Sequence, residues 1–352
     1  MLSQAGITGE ELALAARNHG MPLEALRYDL TPAGLHYLLI HYDIPALEAE
    51  SHVLTVGGAV EDAVSFTLAD LAGLPQRTET VTLECAGNGR ALLRPRPVSQ
   101  PWLFEAVGTA AWTGVSLSDV LEAAGPHSDA VEVVFTGADR GVEGGVEQAY
   151  QRSLTLEEAR RREVMLATHM NGAPLLPQHG APLRLVVPGW YGMTSVKWLA
   201  DISVVTEPFA GYQHEQAYRV RQSEEDRGRP VDRIQPRSLI QPLGIPDFFT
   251  RGRVVSPGEI GMTGRAWSGF GAVVGVEVSV DGGETWHESR LRPPLAEYAW
   301  CGWDWTWRAQ PGHYRVGSRS EDVTGRIQPL EPDWNLGGYE VNAVHWVDVE
   351  VR

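Results

Sequence analysis

Apolar and polar residues alternate with a period of two along much of this chain, which is the signature of half-buried strands. Residues 131–135 alternate in this way, residues 51–57 are strand-like, and residues 183–187 form a near-continuous apolar run that predicts a fully buried strand. A strand-like Val81-Thr82-Leu83 precedes a turn-rich stretch. Residues 272–280 alternate, turn at Asp281-Gly282-Gly283 and resume at Glu284-Thr285-Trp286, which predicts a hairpin. Further strand-like pieces at 303–307, 314–319 and 344–351 predict a β-sandwich. Helical spacing is rarer. Residues 1–30 read as short helical pieces, clearest over 9–16, and residues 116–124 place Leu117, Val120 and Leu121 on one face. Thr155-Leu156-Glu157-Glu158 reads as a capping box, with Arg160, Arg161 and Arg162 expected in the last turn of that helix.

A polar stretch at 219–237 interrupts these patterns and marks a domain boundary, so two domains are expected, 1–235 and 236–352. The net charge of −16, from 29 basic and 45 acidic residues, argues against a nucleic-acid partner. Any anionic substrate must then be drawn in by local positive charge. No run reaches the ~18 apolar residues of a membrane span. The first residues show no basic or apolar leader pattern, which gives the expectation of a cytoplasmic protein, or a periplasmic one if a leader was removed. Cys85 and Cys301 are the only cysteines and form no CxxC pair, so no disulfide framework is expected.

Cys85 lies in Glu84-Cys85-Ala86-Gly87-Asn88-Gly89-Arg90, where the glycines allow close approach of the backbone to a bulky group. Arg90 is expected to favour the thiolate. Alone, such a cysteine most often marks a buried strand end. A hundred residues later, His179 and Arg184 flank the start of the buried strand at 183–187, and Ser195 and Lys197 share a face if their stretch is extended. Together these side chains suit a phosphate-bearing ligand. Two decoys fail. Gly269-Phe270-Gly271-Ala272-Val273-Val274-Gly275 leads into a strand, where a dinucleotide fingerprint needs a helix. His214-Glu215-Gln216-Ala217-Tyr218 is not HExxH. The tryptophans at 300, 303, 305 and 307 are expected in the sandwich core and interface.

Cys85-Ala86-Gly87-Asn88, then His179-Gly180-Ala181-Pro182-Leu183-Arg184 and Ser195-Val196-Lys197-Trp198-Leu199, resemble the sulfite oxidase family of molybdenum–pterin (molybdopterin) oxidoreductases. The segment from His36 to Pro45, Gly137-Ala138-Asp139 and Trp334-Asn335-Leu336 extend the resemblance from about residue 22 to the C-terminus, to a haem-free, bacterial-type member. It implies an α+β chain, with a mixed α/β molybdopterin-binding domain of the sulfite oxidase type followed by an immunoglobulin-like β-sandwich through which subunits dimerise. It implies a molybdenum–molybdopterin cofactor, with Cys85 as the metal ligand. His41, Asp139, His179, Arg184, Ser195 and Lys197 would bind the pterin and its phosphate.

Arg90, Tyr218 and Trp102 occupy three of the family's substrate positions. Leu39 and Trp346 stand where the resemblance leads one to expect anion-binding arginines, and Arg94 or Arg96 are candidates to compensate. The implied reaction is oxygen-atom transfer, sulfite oxidation first, with a small oxyanion or sulfur-oxide substrate, electrons leaving to an external acceptor such as a cytochrome, and a homodimeric assembly. Nitrate or an organic sulfoxide as substrate, and a metal-free scaffold protein, are the alternatives.

Overall fold

The alternating stretches before residue 237 pair into two five-stranded sheets in the computed structural model, which describes residues 2, 3 and 6–352. One sheet runs Ala173–Pro174, Met165–Met170, Val107–Ser116, Gln76–Glu84, with Arg184–Val186 added to Met165–Met170. The other runs Val64–Thr67, Val53–Gly58, Leu199–Val205, Glu132–Glu143, Val146–Thr155. A single apolar core joins them, built from Leu54, Phe135 and Ile202 of the second sheet and Val115, Leu166 and Leu185 of the first. Helix Leu117–Ala124 packs Leu117, Val120 and Leu121 into that core, as its spacing predicts.

The N-terminal helix, Gly9–Ala15, opens on a capping box in which Thr8 and Glu11 satisfy each other's backbone N–H groups. Leu23–Arg27 is a 3₁₀ turn. Residues 2 and 3, by contrast, form a short strand against Arg96–Pro97, and residues 1, 4 and 5 of the expected helical stretch lie outside the described residues. The helix opened by Thr155 is only Leu156–Ala159, so the arginines that follow are not in its last turn. Arg161 turns away to Glu158, Glu163 and Tyr298 at 2.5–2.7 Å, and those contacts compete with helix continuation.

The C-terminal part is a β-sandwich. A four-stranded sheet of Arg237–Ile240, Gly258–Trp267, Cys301–Ala309 and Arg290–Leu291 faces a six-stranded sheet. The larger sheet runs Ile245–Pro246, Arg253–Val255, Val347–Val351, Gly312–Asp322, Val273–Ser279, His287–Glu288. Trp303 and Trp307 fill the space between them with Met262, Val278 and Val349, while Trp300 joins a separate cluster with Trp267 and Tyr191. The hairpin after Ser279 pairs Val278 with His287, so residues 284–286 belong to the loop and not to the return strand. Asp281 accepts from Thr285 and Ser279 there, and those bonds keep residues 284–286 out of the ladder.

The two parts share buried bonds. Arg237 Nε lies 2.9 Å from Glu84 Oε1, and Trp267 Nε1 donates to Glu84 Oε2 at 2.7 Å. Trp300 N donates to Thr82 Oγ1 at 2.8 Å. The strand that delivers Cys85 is thereby clamped from the sandwich side, which fixes the position of its last residue. Among the described residues no helix is long and apolar enough to cross a membrane.

Candidate active site

Cys85 follows the last residue of strand Gln76–Glu84, where the chain leaves the sheet in a tight loop. Gly89 has φ of +95°, and a Cβ there would stand 2.2 Å from the Val341 carbonyl oxygen. A Cβ on Gly87 would meet the Arg90 guanidinium at 2.6 Å. Both glycines are therefore fixed by close approach. Asn88 braces the loop by donating to Glu84 Oε1 at 2.9 Å and accepting from Ala106 N at 3.1 Å.

Eight of the ten residues singled out from the sequence line one pocket: His41, Cys85, Asp139, His179, Arg184, Ser195, Lys197 and Tyr218. Arg90 and Trp102 do not. Arg90 is buried behind the cysteine loop, donating to Gly337 O and Ser99 Oγ at 3.0 Å and lying 5.0 Å from the Tyr339 ring centre. Trp102 packs on Cys85 from the protein side. Its indole N–H has no hydrogen bond of ordinary geometry, although it lies near enough to the thiol to favour the anion.

The expectation that Arg90 holds Cys85 as thiolate is not met. Burial pushes the Cys85 thiol up, and Arg90 with the Gly87 amide only partly offsets that. Without a metal, the cysteine stays a thiol.

The other wall is a cationic cradle. Arg184 donates to His179 O at 2.9 Å and Ser195 O at 3.1 Å, and lies over Trp112 at 4.7 Å. Lys197 Nζ donates to Leu39 O at 2.7 Å and Gln178 O at 3.3 Å. Neither cation forms an ion pair among the described residues. Burial brings Arg184 down to about 10, and burial with the Arg184 charge brings Lys197 down to about 7. Burial, then Arg184, lowers His179 to about 4, so its imidazole is neutral and donates from Nε2 to Ala33 O at 3.2 Å. Burial raises Asp139 to about 6 against the opposing Lys197 charge. Ser195 and Lys197 do face one pocket, but through a 3₁₀ turn at Gly192–Thr194 and a positive φ at Trp198, not an extended stretch.

The cradle fits an anionic cofactor. Two cations hydrogen-bonded to backbone carbonyls and, among the described residues, without an ion pair leave a deficit of negative charge that a phosphate would fill. Among the described residues, no three His, Cys, Asp or Glu side chains gather as metal ligands. A metal at Cys85 therefore needs further ligands brought by the cofactor itself, as the sulfurs of a molybdopterin would be.

Sequence reasoning missed several lining residues, among them His36, Tyr37, Tyr150 and Met193. It also missed Glu143, whose Oε2 lies 2.7 Å from His41 Nε2 and accepts from Gln213 at 2.5 Å and Tyr42 at 3.2 Å. A glutamate before a Gly144-Gly145 turn carries no chemical signal of its own. Leu39 lines the pocket, as expected of that position. Trp346 does not: its ring lies tilted against Trp286 at 6.0 Å and under Arg315 at 5.0 Å, inside the sandwich part. Arg94 donates to Ala91 O and Leu93 O, and Arg96 is engaged by Glu11 at 2.8 Å, so neither compensates at the pocket.

Residues 41–213 match the family described as the oxidoreductase molybdopterin binding domain, and residues 250–352 the Mo-co oxidoreductase dimerisation domain. Mitochondrial sulfite oxidase of Mus musculus is 36% identical over 341 residues, covering 92% of this chain and 62% of that protein. Sulfite oxidase of Gallus gallus is 36% identical over 336 residues, covering 90% of this chain and 72% of that protein. The chain thus spans about three fifths of the length of the mouse relative. Among solved structures, the sulfane dehydrogenase SoxCD from Paracoccus pantotrophus superposes with a TM-score of 0.81 at 26% identity, covering 95% of this chain and 86% of that one.

Proposed function

The chain belongs to the sulfite oxidase family of molybdopterin oxidoreductases, and from that premise we propose that it oxidises sulfite to sulfate and passes the electrons to an external acceptor. The observation that carries the reading is the pocket itself, where a lone thiol meets Arg184 and Lys197, two cations without ion-pair partners among the described residues. Sulfite and water give sulfate, two protons and two electrons. The chemistry the cofactor supplies when bound is a two-electron redox change coupled to oxygen-atom transfer.

The protein's own share is binding and electrostatics. Cys85 would ligate the molybdenum, and metal uptake, which requires the thiolate, would drive off the proton that burial retains. His41, Asp139, His179, Arg184, Ser195 and Lys197 would hold the pterin and its phosphate. Burial keeps the Tyr218 hydroxyl protonated, so it can donate to an oxyanion in the pocket. Trp102 and Leu39 pack around Cys85 with apolar surface and exclude water there. Arg90 contributes its charge from behind the loop.

Residues 1–235 would form the catalytic unit and 236–352 the unit through which a homodimer assembles, with a cytochrome as a suitable acceptor. Leu39 favours a second reading, in which the substrate is a larger or less anionic sulfur compound, and the likeness to a sulfane dehydrogenase supports it. Molybdenum per chain, followed by sulfite-dependent reduction of ferricyanide or cytochrome, tests the first reading. A fully loaded protein that leaves sulfite untouched refutes it, and nitrate reduction in the same sample checks the reverse direction of oxygen transfer.

A further inference from the structure

Among the described residues, no arginine or lysine lines the substrate end of the pocket. Arg184 and Lys197 belong to the cradle, Arg90 stands behind the cysteine loop, and Leu39 is apolar. Yet another buried arginine lies beside that end. Arg152, on strand Val146–Thr155, is only 1% exposed and forms no ion pair among the described residues. Its Nη1 donates to the Gln213 carbonyl and its Nε has no partner. The guanidinium lies 5.6 Å from the centre of the Tyr218 ring; burial pushes its pKa down, and Tyr150, Tyr218 and Tyr339 lie near enough to oppose that shift. Tyr150 and Tyr218 both line the pocket. The Tyr218 and Tyr339 rings stand 5.2 Å apart, so Arg90 and Arg152 bracket one aromatic pair, Arg90 over Tyr339 and Arg152 over Tyr218. Glu143, a carboxylate on the neighbouring strand, is occupied by His41, Tyr42 and Gln213.

An unpaired buried cation is unfavourable unless something answers its charge. Tyrosine faces and one carbonyl answer it only in part, and an anion in the adjoining pocket would complete the set. We propose that Arg152 is a specificity-determining positioning residue of the substrate end, whose charge, acting through Tyr218 and Tyr150, makes the pocket prefer an anion where Leu39 offers none. This rests on the reading that the pocket takes a sulfur oxyanion.

The test uses the molybdenum-loaded protein and sulfate, the product anion, titrated calorimetrically alongside sulfite kinetics. Arg152→Met should raise the sulfate Kd and the sulfite KM about tenfold or more, the scale expected when a charge is removed within one layer of a low-dielectric site, with kcat little changed. Arg152→Lys should recover part of the loss. Sulfate and sulfite constants that stay at the wild-type values overturn the proposal. So does a fall in kcat with Kd and KM unchanged, which would mark a packing role only. Should the methionine variant fail to fold, Arg152→Gln, which can keep the bond to Gln213 without the charge, is read by the same criteria. A wild-type protein that binds sulfate through Arg152 but does not oxidise sulfite refutes the functional reading while leaving this proposal standing.

Discussion

Leu39→Arg should raise sulfite turnover, and the structure shows why the change belongs there and not at Trp346. The Leu39 side chain lines the pocket against Cys85 and Trp102, while its carbonyl is already used by Lys197, a bond the substitution leaves in place. An arginine there gains one hydrogen bond between charged partners, worth about 1.5–3 kcal/mol. If realised in the transition state, that is about tenfold to 150-fold in kcat/KM. Trp346→Arg carries no such gain, because Trp346 packs on Trp286, Arg315 and Gly317 inside the sandwich part. It should lower the unfolding midpoint and leave kcat/KM unchanged. The assay is steady-state sulfite oxidation at fixed ionic strength, normalised to molybdenum content. If Leu39→Arg loads metal, keeps its midpoint and shows unchanged kcat/KM, the reasoning that this position faces the oxyanion is wrong.

Cys85→Ser should abolish molybdenum uptake and turnover while the chain remains folded, checked by elemental analysis and circular dichroism, because the loop is held by Asn88 and its glycines and not by the sulfur. Without cofactor, Lys197 has a folded pKa of about 7 against an ordinary 10.5, so above pH 7 the unfolded chain binds the extra proton and stability from this group rises with pH up to about 10.5. Asp139 acts in the opposite sense at lower pH: its pKa of about 6 against 3.8 makes its contribution fall as pH rises between those values. Denaturation of the cofactor-free protein from pH 7 to 10 should show wild type gaining on Lys197→Met, and a constant difference would refute the shift. Arg237→Met leaves the buried Glu84 carboxylate without its ion-pair partner and should cost about 3–5 kcal/mol in chemical denaturation. Arg237→Gln with Glu84→Gln should recover much of that loss.

Strand-like patterning at 51–57, 131–135, 272–280 and 303–307 pointed to the strands that form as Val53–Gly58, Glu132–Glu143, Val273–Ser279 and Cys301–Ala309, because alternation records which side of a strand is buried. The motifs around Cys85, His179 and Ser195 were legible for a different reason: a cofactor site demands particular side chains close together in the chain. What alternation cannot record is which distant segment covers a given face. That is why Trp346 could be assigned to the pocket from sequence when its ring belongs to the sandwich part, and why Glu143 and Arg152 gave no signal. Local charge was also misleading at Cys85. Arg90 follows it by five residues, yet the sign of the thiol shift is set by burial under Trp102 and Ala106, and burial is a property of the packed chain. The sequence by itself determined the strand-rich two-part architecture, the family and the chemistry of the cradle. Only the tertiary structure decided which cations reach the pocket, since burial and proximity depend on contacts made across hundreds of residues.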